Sequence, residues 1–462
     1  MRSGPRHASA FGALAFSATC AAWMGCNAIA GIHDGELASG DGGNQGADGG
    51  VDSTSGKDSP SGGDSTSGGD SPADALSDGQ DVGIHDSTSE TQTEAEASGP
   101  PSPCGNTAGL QAGSPWPMEA RCPTRISQAA GLGPSAATKG WTADLAGANS
   151  GFVVAADGTL YVCAGGTLTG IGADSTHKWD ATGVTCANTP AIGADGTIYV
   201  GGTNVLTALM PPANLGGSPT TKWTFPTAAG TVSSPNIGGD GTVYVTVGNE
   251  VYAVSSAGSQ RWTYTTVGSI YGMVAIGLTG TIYVAASDTL YALDGTGALT
   301  WRAAAGDAGV TSYYPPAVGP NETVLLATGS GIAAVSGGGT QVWLTSISGA
   351  PWASPSVAPD GTVYGAANGG FFSALDPASG VKKWSFNADE TILSQPVVDS
   401  AGSVYFLTGG GTAYALTISG SLLFSTSLGG GVSLTQPVLT NGQVLYVPTT
   451  VGSQDEIVQY GP

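Results

Sequence analysis

Hydrophobic and polar residues alternate in short runs from residue 141 to the C-terminus, and the runs recur at a period of about forty residues. The unit SPNIGGDGTVYVTVGNEVYAVSSAGSQRW, from Ser234 to Trp262, shows the pattern most clearly. It contains runs rich in β-branched and aromatic residues, separated by turns that contain glycine. The pattern predicts a first strand that ends before Asp240, a second at 242–245, a third at 251–254 and a fourth around Trp262.

An Asp-Gly-Thr element, or its equivalent, marks the turn between the first two strands of each unit. Its aligned residues lie 38 to 45 positions apart and are Gly158, Gly196, Gly241, Gly280, Glu322, Gly361, Gly402 and Gly442. Glycine accepts the positive φ that such a hairpin requires, and the preceding Asp can bond to the backbone of the turn. Repeats of this length with four strands each are typical of propeller blades. The sequence therefore predicts an all-β fold, an eight-bladed β-propeller of four-stranded blades over residues 141–462.

Each unit combines a small residue in its third strand with a large aromatic residue in its fourth, an arrangement that we expect to fill the space between blades. The small residues are Gly170, Ala208, Ala253, Ala292, Ala334, Ala374 and Ala415, and the aromatic ones are Trp179, Trp223, Trp262, Trp301, Trp343, Trp384 and Phe424. The last unit ends without such a Trp, whereas Trp141 precedes the first unit. We therefore expect an N-terminal strand around Trp141 to complete the last blade and close the ring. A seven-bladed ring with one stray repeat is the alternative.

The N-terminus has the pattern of an export signal. Arg2 and Arg6 precede an apolar run from Ala8 to Trp23, which is too short for a stable transmembrane helix. Cys26 follows Gly25 and resembles the acylated Cys of bacterial lipoproteins, although Trp23 stands where such signals usually have Leu. The sequence predicts a lipoprotein signal peptide at residues 1–25 and a lipid anchor at Cys26, on the outer membrane of a bacterial envelope. An ordinary cleaved signal is the alternative.

Residues 26–103 follow as a Ser-, Gly- and Asp-rich linker that begins with the anchor Cys. From His33 to Pro103 there are 15 acidic residues and one base, Lys57. So few apolar residues and so many like charges predict disorder, and hence a tether between the membrane and a folded head. The net charge of −22 therefore comes mainly from the linker, and without any basic stripe nucleic acid is excluded as a partner.

The cysteines beyond the linker predict disulfides, as expected for an exported chain. Cys104 and Cys122 lie in a lead-in segment at 104–140, while Cys163 and Cys186 lie in one blade and just before the next. We expect the pairs Cys104–Cys122 and Cys163–Cys186, with the other two pairings open. A metal site is disfavoured, because no C-x-x-C spacing occurs and His177 is the sole histidine beyond residue 103.

The repeats resemble those of the pyrroloquinoline-quinone (PQQ) type of β-propeller. The motif A-x-D-x-x-[ST]-G-x-x-x-W is matched by Ala374-Leu375-Asp376, Ser379-Gly380 and Trp384, and with one deletion by the unit ending at Trp301. One branch of this family, the quinoprotein dehydrogenases, implies a quinone, Ca²⁺, an adjacent Cys-Cys disulfide and a catalytic Asp. This chain has no adjacent cysteines and no evident oxygen cluster for calcium. The other branch resembles the non-enzymatic eight-bladed lipoprotein of the outer-membrane β-barrel assembly machinery.

Three sets of residues are candidates for chemistry. Asp157, Asp195, Asp240 and Asp360 lie in separate blades, so turn geometry explains them better than calcium does. His177 is expected on an outer strand, far from the channel and unsuited to a catalytic triad. Asp389-Glu390 is an acidic pair without a partner for glycoside cleavage. No catalytic residue, cofactor or metal is therefore predicted.

A binding surface is predicted where the connections between blades meet one mouth of the channel. The aligned residues are Asn149, Ala187, Val232, Tyr271, Tyr313, Trp352, Leu393 and Leu434, with Tyr314 beside them. Three consecutive blades thus carry an aromatic residue, and exposed aromatic residues mark binding sites. Packing of these residues under the loops is the alternative.

Together these features predict a monomeric, non-enzymatic envelope lipoprotein that binds a protein or peptide segment through Tyr271, Tyr313, Tyr314 and Trp352. A carbohydrate-binding or adhesive surface protein is the first alternative. A degenerate PQQ-dependent oxidoreductase is the second.

Overall fold

The computed structural model describes residues 102–212, 216–304, 314–432 and 436–461. Over these ranges the chain forms eight antiparallel four-stranded sheets, and helical structure is confined to two short 3-10 turns. The signal peptide, Cys26 and the linker lie outside the described residues.

Each sheet is one blade, and its strands follow one another from the central channel outwards. Blade 1 contains β2 (Asn149–Val154), β3 (Leu160–Ala164), β4 (Thr167–Ile171) and β5 (His177–Asp180), and blade 2 contains β6 (Ala191–Ile192), β7 (Ile198–Gly201), β8 (Thr203–Met210) and β9 (Thr220–Thr231). Blade 3 contains β10 (Asn236–Ile237), β11 (Val243–Val247), β12 (Glu250–Val254) and β13 (Gln260–Thr265), and blade 4 contains β14 (Ala275–Ile276), β15 (Ile282–Ala286), β16 (Thr289–Leu293) and β17 (Leu299–Ala304). Blade 5 contains β18 (Ala317–Val318), β19 (Val324–Thr328), β20 (Gly331–Val335) and β21 (Gln341–Thr345), and blade 6 contains β22 (Ser356–Val357), β23 (Val363–Ala366), β24 (Phe371–Leu375) and β25 (Lys382–Asn387). Blade 7 contains β26 (Val397–Val398), β27 (Val404–Leu407), β28 (Thr412–Leu416) and β29 (Leu422–Ser427), and blade 8 contains β30 (Val438–Leu439), β31 (Leu445–Val451), β32 (Gln454–Tyr460) and β1 (Lys139–Leu145). The eight-bladed propeller predicted from the repeats is confirmed.

Ring closure occurs as the sequence predicts. Strand β1 pairs with β32 and is the outermost strand of blade 8. Trp141 on β1 lies 5.5 Å from the ring of Tyr446, matching the Tyr244–Trp262 pair of blade 3 at 5.7 Å. An N-terminal strand therefore supplies the aromatic residue that the last repeat lacks.

The tryptophans connect neighbouring blades through hydrogen bonds as well as through packing. The Nε1 of Trp262 donates to the carbonyl oxygen of Gly295 in the next blade at 3.0 Å, and Trp384 donates to Ile418 at 2.8 Å. At the seam between blades 8 and 1, Trp141 donates to Ala173 at 2.8 Å. Equivalent bonds from Trp223, Trp301 and Trp343 bring the total in the described ranges to six of the eight junctions between blades, whereas blade 7 carries Phe424, which has no N–H group to donate.

The small residue of the third strand lies directly across from this Trp. Ala292 pairs with Trp301, and Gly170 pairs with Trp179 in the same register. A Cβ atom on Gly170 would lie 2.5 Å from the indole of Trp179. The small side chain is therefore required because the indole ring lies on the neighbouring strand of the same blade. The sequence had suggested only that small side chains let neighbouring blades pack together.

The turns between first and second strands take positive φ in every blade, but not always at the aligned residue. Gly241 has φ +76°, and Glu322 takes the same role at +59°. In blade 8 the positive φ falls on Gln443, at +60°, rather than on the predicted Gly442. The aligned position is thus correct in seven blades and displaced by one residue in the eighth.

Both expected disulfides are present. Cys163 on β3 of blade 1 is joined to Cys186, which precedes β6 of blade 2. Cys104 is joined to Cys122 within the lead-in segment. The first bond links two blades, and the second stabilises a segment that lies inside the ring.

Candidate functional site

The ring has two faces, which we name from their connections. The hairpin face carries the turns between the first and second strands of each blade, such as Asp240-Gly241. The loop face carries the connections between blades and the turns between second and third strands. The central channel runs from one face to the other, and its wall is formed by the inner strands β2, β6, β10, β14, β18, β22, β26 and β30.

Residues 104–134, the channel segment, occupy this channel. The segment lies against the hairpin face near Gly109, whose backbone meets that of Gly238. From Trp116 onwards its carbonyl groups accept hydrogen bonds from the inner strands. The donors and acceptors are Val154 N to Trp116 O (2.9 Å), Ile192 N to Pro117 O (2.8 Å), Ile276 N to Pro123 O (2.8 Å), Val318 N to Thr124 O (2.7 Å), Val357 N to Ile126 O (3.1 Å) and Val398 N to Ser127 O (2.9 Å).

These bonds follow the order of the blades around the ring. The main-chain donors belong to blades 1, 2, 4, 5, 6 and 7, and the acceptors advance along the segment in the same order. Blade 3 contributes the side chain of Asn236, which donates to Pro123 O at 3.0 Å. Blade 8 contributes Gln436, whose Oε1 accepts from Ser127 Oγ at 3.1 Å. The channel segment therefore winds once around the inside of the ring and contacts all eight blades.

The side chains of the channel segment fill the interior. Trp116, Met118 and Arg125 have 0% relative exposure, and Ile126 has 1%. Burial lowers the pKa of Arg125, although the charge of Glu119, 3.2 Å away, acts in the opposite direction. Glu119 is anchored in turn by the hydroxyl of Ser234, which donates to it at 2.6 Å. An ion pair between residues of the segment thus lies where the channel approaches the loop face.

The backbone of the channel segment is bent tightly. Ala120, Arg121, Arg125 and Ser127 all have positive φ, which costs free energy in residues other than glycine. Such conformations persist when the surroundings determine them. Here the surroundings are the Cys104–Cys122 disulfide and hydrogen bonds such as that from Arg121 Nη1 to Gln128 O at 2.8 Å.

The channel does not fit the quinone that one branch of the resemblance implies. A planar cofactor at the level of the inner strands would have to displace the buried side chains of Trp116 and Arg125. In blades 1, 2, 4, 5, 6 and 7 a backbone N–H group of the inner strand already bonds to the channel segment. Within the described ranges no group of three His, Cys, Asp or Glu side chains is placed to bind a metal ion.

The predicted aromatic surface is only partly exposed. Tyr271 and Trp352 lie on the loop face with 49% and 41% of their surface accessible. Tyr314 is half-buried against the core, and its burial raises its pKa to about 12. Tyr313 and Leu434 lie outside the described residues. The other aligned residues do not add to an exposed patch, since Asn149, Ala187 and Val232 are buried and Leu393 is half-buried.

The turn aspartates act locally, as expected. Asp195 accepts a hydrogen bond from the backbone N of Thr197 at 3.1 Å and pairs with Lys222 at 2.7 Å. Burial opposes ionisation of Asp195, but the bonds from Lys222 and Thr197 outweigh it and lower the pKa to about 2. Asp157, Asp240 and Asp360 have equivalent partners in their own blades.

The two remaining candidates have local roles as well. His177 lies on β5 with its side chain 60% exposed and contacts Asp180 at 3.1 Å. Asp389 accepts a hydrogen bond from Thr412 at 2.8 Å on the loop face.

Among the described residues no helix has the length and apolar character needed to cross a membrane.

The position of the channel segment inside the ring is the main feature that the sequence alone did not predict. The segment was predicted only as a disulfide-bonded lead-in, because its backbone follows neither a helical nor a strand period. A signal was present in its large apolar residues, Trp116, Met118 and Ile126, which a surface segment would not need.

Known structures confirm the class of fold that the blades and their Trp motif define. The chain resembles quinohemoprotein alcohol dehydrogenase from Comamonas testosteroni, with a TM-score of 0.62, 14% identity, and coverage of 77% of this chain and 82% of the other. It resembles a europium-containing methanol dehydrogenase with a TM-score of 0.65, 13% identity, and coverage of 76% and 98%. It resembles BamB from Moraxella catarrhalis with a TM-score of 0.53, 19% identity, and coverage of 70% and 100%.

These identities support the PQQ-type propeller fold and nothing finer. A protein-family model described as outer membrane protein assembly factor BamB matches residues 213–364 and 368–459, more than half of the chain. The chain therefore belongs to this family of PQQ-like β-propeller repeat proteins. No curated protein sequence matches it.

Proposed function

We propose that this protein is a non-enzymatic scaffold of the cell envelope that binds another protein on the loop face. The observation that carries the proposal is the exposure of Tyr271 and Trp352 there, at corresponding positions of two blade connections. Large aromatic residues that remain accessible commonly anchor protein partners. Membership of the BamB family and the occupied channel support binding rather than cofactor chemistry.

The charges of the two faces indicate what the partner should look like. Acidic residues lie at the loop-face ends of strands and turns, namely Glu250, Asp288, Asp389, Glu390 and Asp455. The described lysines and Arg261 lie at the other end of their strands, where four of them pair with turn aspartates. A partner segment that carries Lys or Arg beside apolar side chains would complement this face, and its association should weaken as salt is added.

The test is crosslinking in intact envelopes followed by capture. A Tyr271→Ala/Trp352→Ala variant is compared with wild type and with a matched control, Val381→Ala/Leu422→Ala. The control residues are 65% and 50% exposed but lie at the hairpin-face ends of outer strands. We expect one protein band to be lost only from the aromatic variant, with the melting temperature unchanged.

Two outcomes would contradict this proposal. If all three proteins capture the same envelope proteins in equal amounts, Tyr271 and Trp352 do not bind a partner and serve only in packing. Retention of glycan fragments in place of a protein would support a carbohydrate-binding function instead.

We also propose, from the sequence, that Cys26 carries a lipid anchor and that the linker tethers the propeller to the membrane. Membership of the BamB family supports an association with the outer membrane. If Cys26 is acylated, Cys26→Ser should move the protein from the membrane to the soluble fraction. A membrane-bound Cys26→Ser protein would contradict lipidation at that residue.

A further inference from the structure

We infer that the inner rim of this propeller is a binding site for a polypeptide segment that curves around its inside, and that its resident ligand is the channel segment of the same chain. The inference concerns the channel and does not depend on which partner binds the loop face. It assigns residues 104–134 a role as ligand rather than as a passive connection to β1.

The N–H donors on the rim are equivalent from blade to blade. Val154, Ile192, Ile276, Val318, Val357 and Val398 occupy the same register in their blades, each paired with the residue that opens the second strand. Each inner strand has its other edge towards the axis, where no further strand pairs with it. Six of the eight blades thus present a backbone N–H group at this level, and a buried N–H group requires an acceptor.

The channel segment supplies carbonyl acceptors to the N–H groups of the rim, and it donates from Ala129 N to Val398 O at 2.7 Å and from Gln111 N to Ile192 O at 3.2 Å. Two of its acceptor residues, Pro117 and Pro123, have no N–H group that would need a partner in the channel. The positive φ at Ala120, Arg125 and Ser127 bends the chain so that successive carbonyl groups point outwards to successive blades. A curved segment with this pattern matches the six N–H donors of the rim.

The channel segment also contributes apolar side chains. Trp116 packs in the cluster formed by blades 7, 8 and 1, and Met118 packs in the cluster of blades 2 and 3. Ile126 packs in the cluster of blades 5 and 6. One segment therefore contributes to three separate interblade cores, so its removal should loosen the ring at several places at once.

The test uses the full chain and a protease site introduced between Ser135 and Thr138, where the connection to β1 is exposed. Cleavage after folding leaves Cys104 and Cys122 on the same fragment, so the disulfide does not tie that fragment to the ring. We expect the N-terminal fragment to elute with the ring on size-exclusion chromatography. We also expect the urea midpoint to fall, because the cut permits dissociation.

Substitutions distinguish a bound ligand from an accidental association. Trp116→Ala should release the cleaved fragment at least about a hundredfold faster, given the usual cost of removing a buried Trp. Trp116→Phe should change release far less, because Trp116 Nε1 has no hydrogen-bond partner among the described residues. The control Leu422→Ala, 50% exposed on the outer strand β29 and outside both proposed sites, should leave release unchanged.

Separation of the fragment directly after cleavage, with an unchanged urea midpoint for the ring, would overturn the inference. Equal release rates for Trp116→Ala and Leu422→Ala would overturn it as well. Neither result would affect the proposed function, because the loop-face capture experiment uses the uncut protein.

Discussion

Replacing Trp141 by alanine should open the ring at the seam between blades 8 and 1. The indole donates a hydrogen bond to Ala173 at 2.8 Å, which contributes about 1 kcal/mol net. Its contact with Tyr446 at 5.5 Å contributes about 0.5–1.5 kcal/mol. Trp141 is half-buried, so the loss of packing should bring the total to about 2–4 kcal/mol.

Urea unfolding followed by intrinsic fluorescence would measure this loss, with Trp262→Ala as the matched control. Trp262 makes the same contacts inside a continuous blade, with a hydrogen bond to Gly295 at 3.0 Å and a ring contact with Tyr244 at 5.7 Å. We expect a comparable loss for both variants. Trp141→Phe, which keeps the ring contact but not the hydrogen bond, should lose about 1 kcal/mol. Stability unchanged by Trp141→Ala, beside a clear loss for Trp262→Ala, would refute closure by β1.

Three further predictions follow from local contacts. Replacing both Cys104 and Cys122 by Ser should lower the free energy of unfolding by about 3 kcal/mol, on the chain-entropy estimate for cysteines 18 residues apart. Cys163→Ser/Cys186→Ser, with a separation of 23, should lower it by about the same amount. In the cleaved protein, however, only the change at Cys104 and Cys122 should speed release of the N-terminal fragment. Ala292→Leu, which places a larger side chain against Trp301, should lower the urea midpoint, and an unchanged midpoint would show that the indole is free to move. The pKa of Asp195 is about 2 in the folded protein, below its ordinary value of 3.8. The ionised carboxylate therefore stabilises the fold above pH 3.8, and this stabilisation is lost as the pH falls through about 2. Lys222→Met should lower the free energy of unfolding near neutral pH but not below pH 2, and a deficit that persists at pH 2 would contradict this account.

The blades could be predicted from the sequence because each is determined by contacts within about forty residues. Gly241 marks its turn, and Ala253 faces Trp262 across two strands that are adjacent in the chain. The closing strand was also predictable, because the last repeat lacks a Trp and Trp141 precedes the first repeat. These are local or periodic signals, and the structure confirms them.

The course of the channel segment could not be predicted in this way. Its carbonyl groups meet residues as distant as Val398, and the meeting depends on the complete ring rather than on any period in the segment itself. The exposure of Tyr271 and the half-burial of Tyr314 were likewise undetermined, because both residues lie on connections between blades. The sequence therefore located the candidate surface but did not identify which of its aromatic residues are accessible.

The central claim is that the chain's own residues fill the channel and leave the loop face as the binding surface. Amide hydrogen exchange at Val154, Ile192, Ile276, Val318, Val357 and Val398 tests it most directly, because their N–H groups bond to the channel segment. We predict exchange as slow as that of the central strands, with opening only when the ring unfolds. Rapid exchange at these six amides beside slow exchange in the neighbouring second strands would indicate a water-filled channel and would contradict the account.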